Sequence, residues 1–398
     1  MTYASSPIPA SPAVEKVFLK MLPITSAVFV GFLTIGLALP VLPLHLHYTL
    51  DMSPVVVGIA IGSQFAAALL SRAWAGGLAD ARGGKRAVIL GLLSAALSGV
   101  AYLSSLAFIG MPRISVGALL LGRILLGCGE SLVITGALGW GMGLVGLRNA
   151  GKVMAWVGMA MFGAYAAGAP LGTFIYGRYD FAGVAFATII IPLLALGAVA
   201  PAAAVAVSTA KRVPFYKVLG TVWVPGLGVG LCCVGFGVVA TFIALLFAAK
   251  NWGSASLAFT AFGVAFIVAR LLFAHLPDRI GGARVALVCA LIETAGLLLI
   301  WQADGVMMAY AGAAFTGFGY SLCFPGFGVE AVLRAPPQSR GAAMGAFMAF
   351  ADMALGITGP AAGAIASAAG VNAVYLAGAG GVLLSTLVAF YLLANKPV

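Results

Sequence analysis

Arg72-Ala-Trp-Ala-Gly-Gly-Leu-Ala-Asp-Ala-Arg-Gly-Gly-Lys-Arg86 ends one long apolar run and opens the next. It concentrates an acid, several bases and paired glycines in a chain that is otherwise poor in charge. The same grammar returns at Arg270-Leu-Leu-Phe-Ala-His-Leu-Pro-Asp-Arg-Ile-Gly-Gly-Ala-Arg284. With an offset of 198 residues, Arg72 meets Arg270, Asp80 meets Asp278, Gly83 and Gly84 meet Gly281 and Gly282, and Arg86 meets Arg284. A short polar loop used twice between apolar segments is the mark of a duplicated membrane protein.

Composition supports this. The 398 residues are 63% hydrophobic and 8% charged, with a mean hydropathy of +1.12. Soluble domains carry roughly 25% charged residues, so lipid is the solvent this chain can satisfy. A spanning helix takes about 20 apolar residues, which allows about twelve with short loops. The long unbroken runs exclude the alternating pattern of a transmembrane β-barrel. The 54 glycines suit helices that approach closely in lipid. The five cysteines fall in apolar runs without metal-ligand spacing or a disulfide pattern, and are expected to be small buried apolar residues. No cofactor or metal is implied. No Walker loop supplies ATP chemistry, and no nucleophile or general-base constellation points to an enzyme.

The chain divides into a tail over 1–17, rich in Pro, Ser and Ala and expected to be disordered and cytoplasmic, a six-helix half over 18–207, a cytoplasmic linker over 208–218 and a second six-helix half over 219–398. If the N-terminus is cytoplasmic, 15 Lys and Arg fall on inner segments and 3 on outer ones, with Arg72, Arg123 and Arg270 in or at the ends of helices. That bias puts both termini inside. It also explains the net charge of +11 as a set of basic inner loops facing lipid, with no nucleic-acid partner. The duplication continues at a second offset of 190: Gly127-Cys-Gly129-Glu-Ser-Leu132 meets Gly317-Phe-Gly319-Tyr-Ser-Leu322, and Pro170 meets Pro360.

These motifs resemble those of the major facilitator superfamily. Gly76-Gly-Leu-Ala-Asp80-Ala-Arg82-Gly83-Gly-Lys85-Arg86 is similar to the family's loop between helices 2 and 3. Ala81 stands where a base is usual; the second copy has that base as Arg279. Arg123-Ile-Leu-Leu-Gly127-Cys-Gly129 resembles the helix-4 motif. Gly163-Ala-Tyr-Ala-Ala-Gly168-Ala-Pro170-Leu-Gly172 resembles the helix-5 motif of drug and metabolite proton antiporters, with Ala169 replacing a glycine. The chain is similar to bacterial permeases of the arabinose-efflux type. The resemblance implies an all-α fold of twelve membrane helices in two pseudo-repeats, in the bacterial inner membrane, as a monomer. It also implies that Asp80 meets the start of helix 11 as a latch on the inner side, with Arg82, Lys85 and Arg86 bracing the loop, and that helix 4 lines a central cavity. The plain alternative for the loop is a topology signal alone.

Arg123, Gly127 and Glu130 fall on one helical face. A charge at Glu130's depth costs at least about 2.5–3.5 kcal/mol, which a water-filled cavity or protonation relieves. Asp352 carries the same argument in helix 11. Tyr320 takes the place of Glu130 in the second copy, lining the opposite wall or simply packing. Glu293 reads as a structural contact, and Glu330 with Arg334 as a local ion pair. The expected activity is proton-coupled export of a small organic molecule. Glu130 and Asp352 would carry the proton or meet a cationic group, and Arg123 would orient Glu130 or bind an anionic one. The rivals are a proton symporter importing a sugar or carboxylate, a lipid flippase, and a non-transporting receptor.

Overall fold

The computed structural model describes residues 12–146, 150–205, 219–335 and 340–395. The linker over 208–218, the first eleven residues and Arg148 lie outside them. The first half comprises α1 (Pro12–Ala38), α2 (Pro54–Arg82), α3 (Gly84–Leu106) and α4 (Pro112–Val145). It continues in one long helical stretch, Ala150–Val199. Tyr179 (φ −135°, ψ 15°) and Asp180 (φ 52°, ψ −162°) break that stretch into two arms, α5 (150–178) and α6 (181–199). The second half comprises α7 (Leu219–Lys250), α8 (Ser256–Phe273), α9 (Gly282–Trp301), α10 (Val306–Arg334), α11 (Arg340–Ala369) and α12 (Val371–Ala394). Large apolar side chains such as Leu70, Phe174, Leu194 and Met307 stand exposed around the bundle, as a lipid-facing surface requires.

Two boundaries differ from the sequence reading. α1 reaches back to Pro12, into the stretch expected to be a tail. α6 ends at Val199 rather than near 207, because Pro201 disfavours helix in the residue before it. The freed carbonyls after α6 are taken up by the first half. Lys85 Nζ donates to Ala200 O (2.7 Å) and Ala202 O (2.6 Å). Trp140 Nε1 donates to Ala203 O (2.9 Å).

Both halves are built on the same glycine contacts. Gly84 packs against the Gly136 carbonyl, and its twin Gly282 against that of Gly326. Gly129 packs against Gly91 O and Ala95 N; its twin Gly319 packs against Cys289 O and Glu293 N. Gly127 of α4 lies on the Gln64 carbonyl of α2, and Gly317 of α10 on the Phe262 carbonyl of α8. At each point a Cβ would strike backbone, so small residues set how closely the helices approach. Gly83 and Gly281, the paired turn residues, both take positive φ (90° and 97°), which a residue without Cβ adopts freely.

The halves meet along two seams, α2 with α11 and α5 with α8. In the first, Gly58 and Gly62 lie against the Gly359 and Gly356 carbonyls, and Gly363 against Pro54. In the second, Thr260 Oγ1 donates to the Ala166 carbonyl (2.9 Å), at the position equivalent to Gly62 on Gly356. Both seams lie toward the end of the bundle opposite the α2–α3 turn, here called the far end; the end with that turn is the motif end.

Candidate functional site

Helix α2 supplies the first side chains. Gln64 Nε2 donates to Glu130 Oε2 of α4 at 2.7 Å. Gln64 is fully buried and Glu130 half-buried. Two turns further on, Arg72 crosses to the other half, and its Nε donates to Asp352 Oδ2 of α11 at 2.7 Å. Its Nη2 completes an ion pair with the same oxygen. Gln64 and Arg72, eight residues apart, share one side of α2. This single helix therefore holds one carboxylate from each half. Glu130 lies within electrostatic reach of Asp352, Arg72 and Arg123.

Arg123 is fully buried. Its Nη2 sits 3.5 Å from the Ile61 carbonyl, at the outer limit of a hydrogen bond, and among the described residues Nε and Nη1 have no hydrogen-bond partner. The sequence reading expected Arg123 to orient Glu130 or to bind an anionic group; the hydrogen bond that Glu130 accepts here comes from Gln64. Glu130 also borders a void of about 10 Å³ lined by residues that include Gly91, Ala95 and Val133, room for about one water.

The opposite wall is aromatic. Tyr320 of α10 is buried, with its hydroxyl 3.5 Å from Cys233 Sγ. Its ring stacks on Phe236 (5.8 Å) and lies edge-on to Phe162 (5.7 Å). Phe162 of α5 stacks on Phe266 of α8 at 3.8 Å, so this cluster spans the second seam. Tyr165, in the same cluster, lies within electrostatic reach of Glu130 and Asp352. Arg270, the twin of Arg72, donates from Nη2 to the Ser321 carbonyl (2.8 Å) and lies over the Phe266 ring (5.3 Å).

The loop motif occupies the motif end. Gly76 is buried, Asp80 half-buried, and Arg82 and Arg86 exposed. Asp80 is engaged rather than free. Asp278 and Arg279 of the second copy are both exposed, in the short helix Leu276–Ile280. The helix-5 motif packs within the first half: Gly168 lies on Gly36 and Gly172 on Leu37 of α1, with Pro170 between them in α5. Glu330 pairs with Arg334 as expected. It also accepts from the Ala283 backbone N–H (3.0 Å), capping the start of α9. Sequence reasoning missed Gln64, and it left Arg72 without a partner. A lone amide and a guanidinium inside the apolar run of α2 were the available signals.

The fold and site define a membrane transport protein built from two repeated halves. The family model of the Major Facilitator Superfamily matches residues 24–245 and 226–398. The chain belongs to that family. An uncharacterised MFS-type transporter of Salmonella typhimurium is 44% identical over 93% of this chain and 95% of its own length. YhhS of Escherichia coli, another uncharacterised MFS-type transporter, is 41% identical over 98% of this chain and 96% of its own. Among solved structures, the nucleoside transporter NupG has a TM-score of 0.76 at 14% identity, covering 94% of this chain and 99% of NupG. A D-xylose-proton symporter has a TM-score of 0.73 at 15% identity, covering 94% and 96%. At these identities the two structures share the fold alone. The chain is a transporter and not an enzyme.

Proposed function

We propose that this transporter exports a small organic metabolite or drug in exchange for protons, by alternating access between its halves. The observation that carries the reading is α2 holding Glu130 and Asp352, one carboxylate from each half. A carboxylate cannot keep both a proton and the full attraction of Arg72. A proton on Asp352 loosens α2 from α11; its loss restores the ion pair and draws the halves together. Glu130, held by the neutral Gln64, is the second exchangeable site, and Arg123 a buried positive charge that an anionic substrate group could meet. Tyr320 and its neighbours provide an apolar wall for the rest of the substrate. In this reading the motif end is cytoplasmic, with both termini, in the bacterial inner membrane, and the protein acts as a monomer. Asp80 latches the loop to the start of α11, and Gly76, Arg82, Gly83, Lys85 and Arg86 shape and brace it.

The test is transport in proteoliposomes under an imposed pH gradient, with Glu130→Gln and Asp352→Asn beside the unmodified protein. Gradient-driven movement opposite to the protons, lost in both variants, supports the reading. Equal transport in all three proteins removes the carboxylates from coupling. Movement in the same direction as the protons overturns export.

A further inference from the structure

Glu293 lies deep in α9 and is fully buried. A charge at the membrane centre costs at least about 2.5–3.5 kcal/mol, and such residues are kept where something compensates them. Here little within the protein does. Among the described residues, Glu293 Oε1 has no hydrogen-bond partner, and Oε2 accepts a hydrogen bond only from the Cys323 thiol, at 3.8 Å. What surrounds the carboxylate is sulfur. Cys232 Sγ of α7, a Glu293 carboxylate oxygen and Cys323 Sγ of α10 lie within 4.8 Å of one another. Cys289, one turn before Glu293, is within electrostatic reach of both Cys232 and Glu293. Cys232 also contacts Ser385 Oγ of α12, at 3.3 Å.

The duplication provides an internal control. Residues 289, 293 and 323 are the equivalents of Gly91, Ala95 and Val133, and the glycine contacts at Gly129 and Gly319 confirm the register. In the first half those three positions line the small void beside Glu130. At these three positions the second copy therefore holds donor side chains and the first copy none. Packing in this fold does not require the donors.

We propose that Cys232, Glu293 and Cys323 form a buried site for a thiophilic d10 cation, Cu(I) or Zn(II). Sulfur donors without imidazole select such ions. Donors sharing one ion at about 2.0–2.3 Å stand roughly 3.5–4 Å apart, so the observed spread closes by small side-chain rotations. Cysteine binds such an ion as thiolate, so loading releases the Cys232 and Cys323 protons to solvent. With Glu293 keeping its proton and binding through its carbonyl oxygen, two thiolates neutralise Zn(II) and leave the Cu(I) site with a single negative charge. Either ion would tie α7, α9 and α10 together inside the second half.

The experiment uses the full chain, purified in detergent under anaerobic, thiol-free reducing conditions. Cu(I) is titrated against a chromophoric copper chelator, and Zn(II) separately against a zinc indicator. The expected result is one ion per chain in the unmodified protein, lost in the Cys232→Ala/Cys323→Ala variant and kept in Cys128→Ala, with a rise in melting temperature only where the ion binds. The metal that binds identifies the ion. Absence of stoichiometric binding of either metal, or binding that survives the double substitution, overturns the site. If the double variant does not fold, X-ray absorption of the loaded unmodified protein decides: two sulfur scatterers support the site, and an oxygen- and nitrogen-only shell overturns it. None of these readouts depends on transport.

Discussion

The two halves place different chemistry at equivalent points on one scaffold. Gln64 in α2 corresponds to Phe262 in α8, and each backbone carbonyl receives a glycine of the neighbouring helix, Gly127 or Gly317. Gln64 uses its side chain to hold Glu130; Phe262 lies 6.1 Å from Tyr320, the residue in Glu130's place. Arg72 finds Asp352 across the first seam. Among the described residues Arg270 meets a backbone carbonyl and the Phe266 ring, because Asp352's equivalent is Phe162. Backbone-to-backbone contact leaves almost no freedom to vary, so the glycines repeat. The side chains where the halves meet carry no such constraint, and there the α2–α11 seam is charged and the α5–α8 seam aromatic.

The largest expected effect is at the charged seam. Asp352→Ala strands Arg72 in a mostly buried position, and breaking a buried pair costs about 3–5 kcal/mol. Denaturant or thermal unfolding in detergent should show that loss. The double variant Arg72→Ala/Asp352→Ala should recover part of it. Additive losses would mean that the pair is not coupled. On the aromatic side, Phe162→Ala is expected to cost a similar about 3–5 kcal/mol by leaving a cavity, but with no partner whose removal restores stability. A rescue of Phe162→Ala by Arg270→Ala would break the distinction between the seams.

Glycine substitutions ask whether the scaffold is as symmetric as it looks. Gly127→Ala and Gly317→Ala each force a Cβ onto backbone. Overpacking of this kind costs about 1–3 kcal/mol, and the two losses should match. A strongly unequal pair would show that one half tolerates helix separation and the other does not. The smallest effect is expected at Gly139→Ala, where an added Cβ meets nothing within 4 Å and the twin position already holds Val329. Helix propensity there favours Ala by up to about 1 kcal/mol, so the melting temperature should hold or rise slightly.

The amino-acid order by itself determined the solvent, the duplication and the twelve helices. Apolar runs must span a bilayer, and the repeated loop with its paired glycines sets two equal halves. It also marked Glu130 and Asp352, because a carboxylate inside an apolar run has to be compensated. Who compensates them is a matter of tertiary structure. Arg72 and Asp352 stand 280 positions apart, and Gln64 and Glu130 66 apart. No local period links such residues; the angle at which α2 crosses α4 and α11 does. The same holds for Cys232, Glu293 and Cys323, whose spacing carries no metal motif and which become neighbours only because three helices cross there. Helix formation is local, so composition and periodicity reveal it. Partner choice among buried polar groups depends on where the glycines let backbones meet.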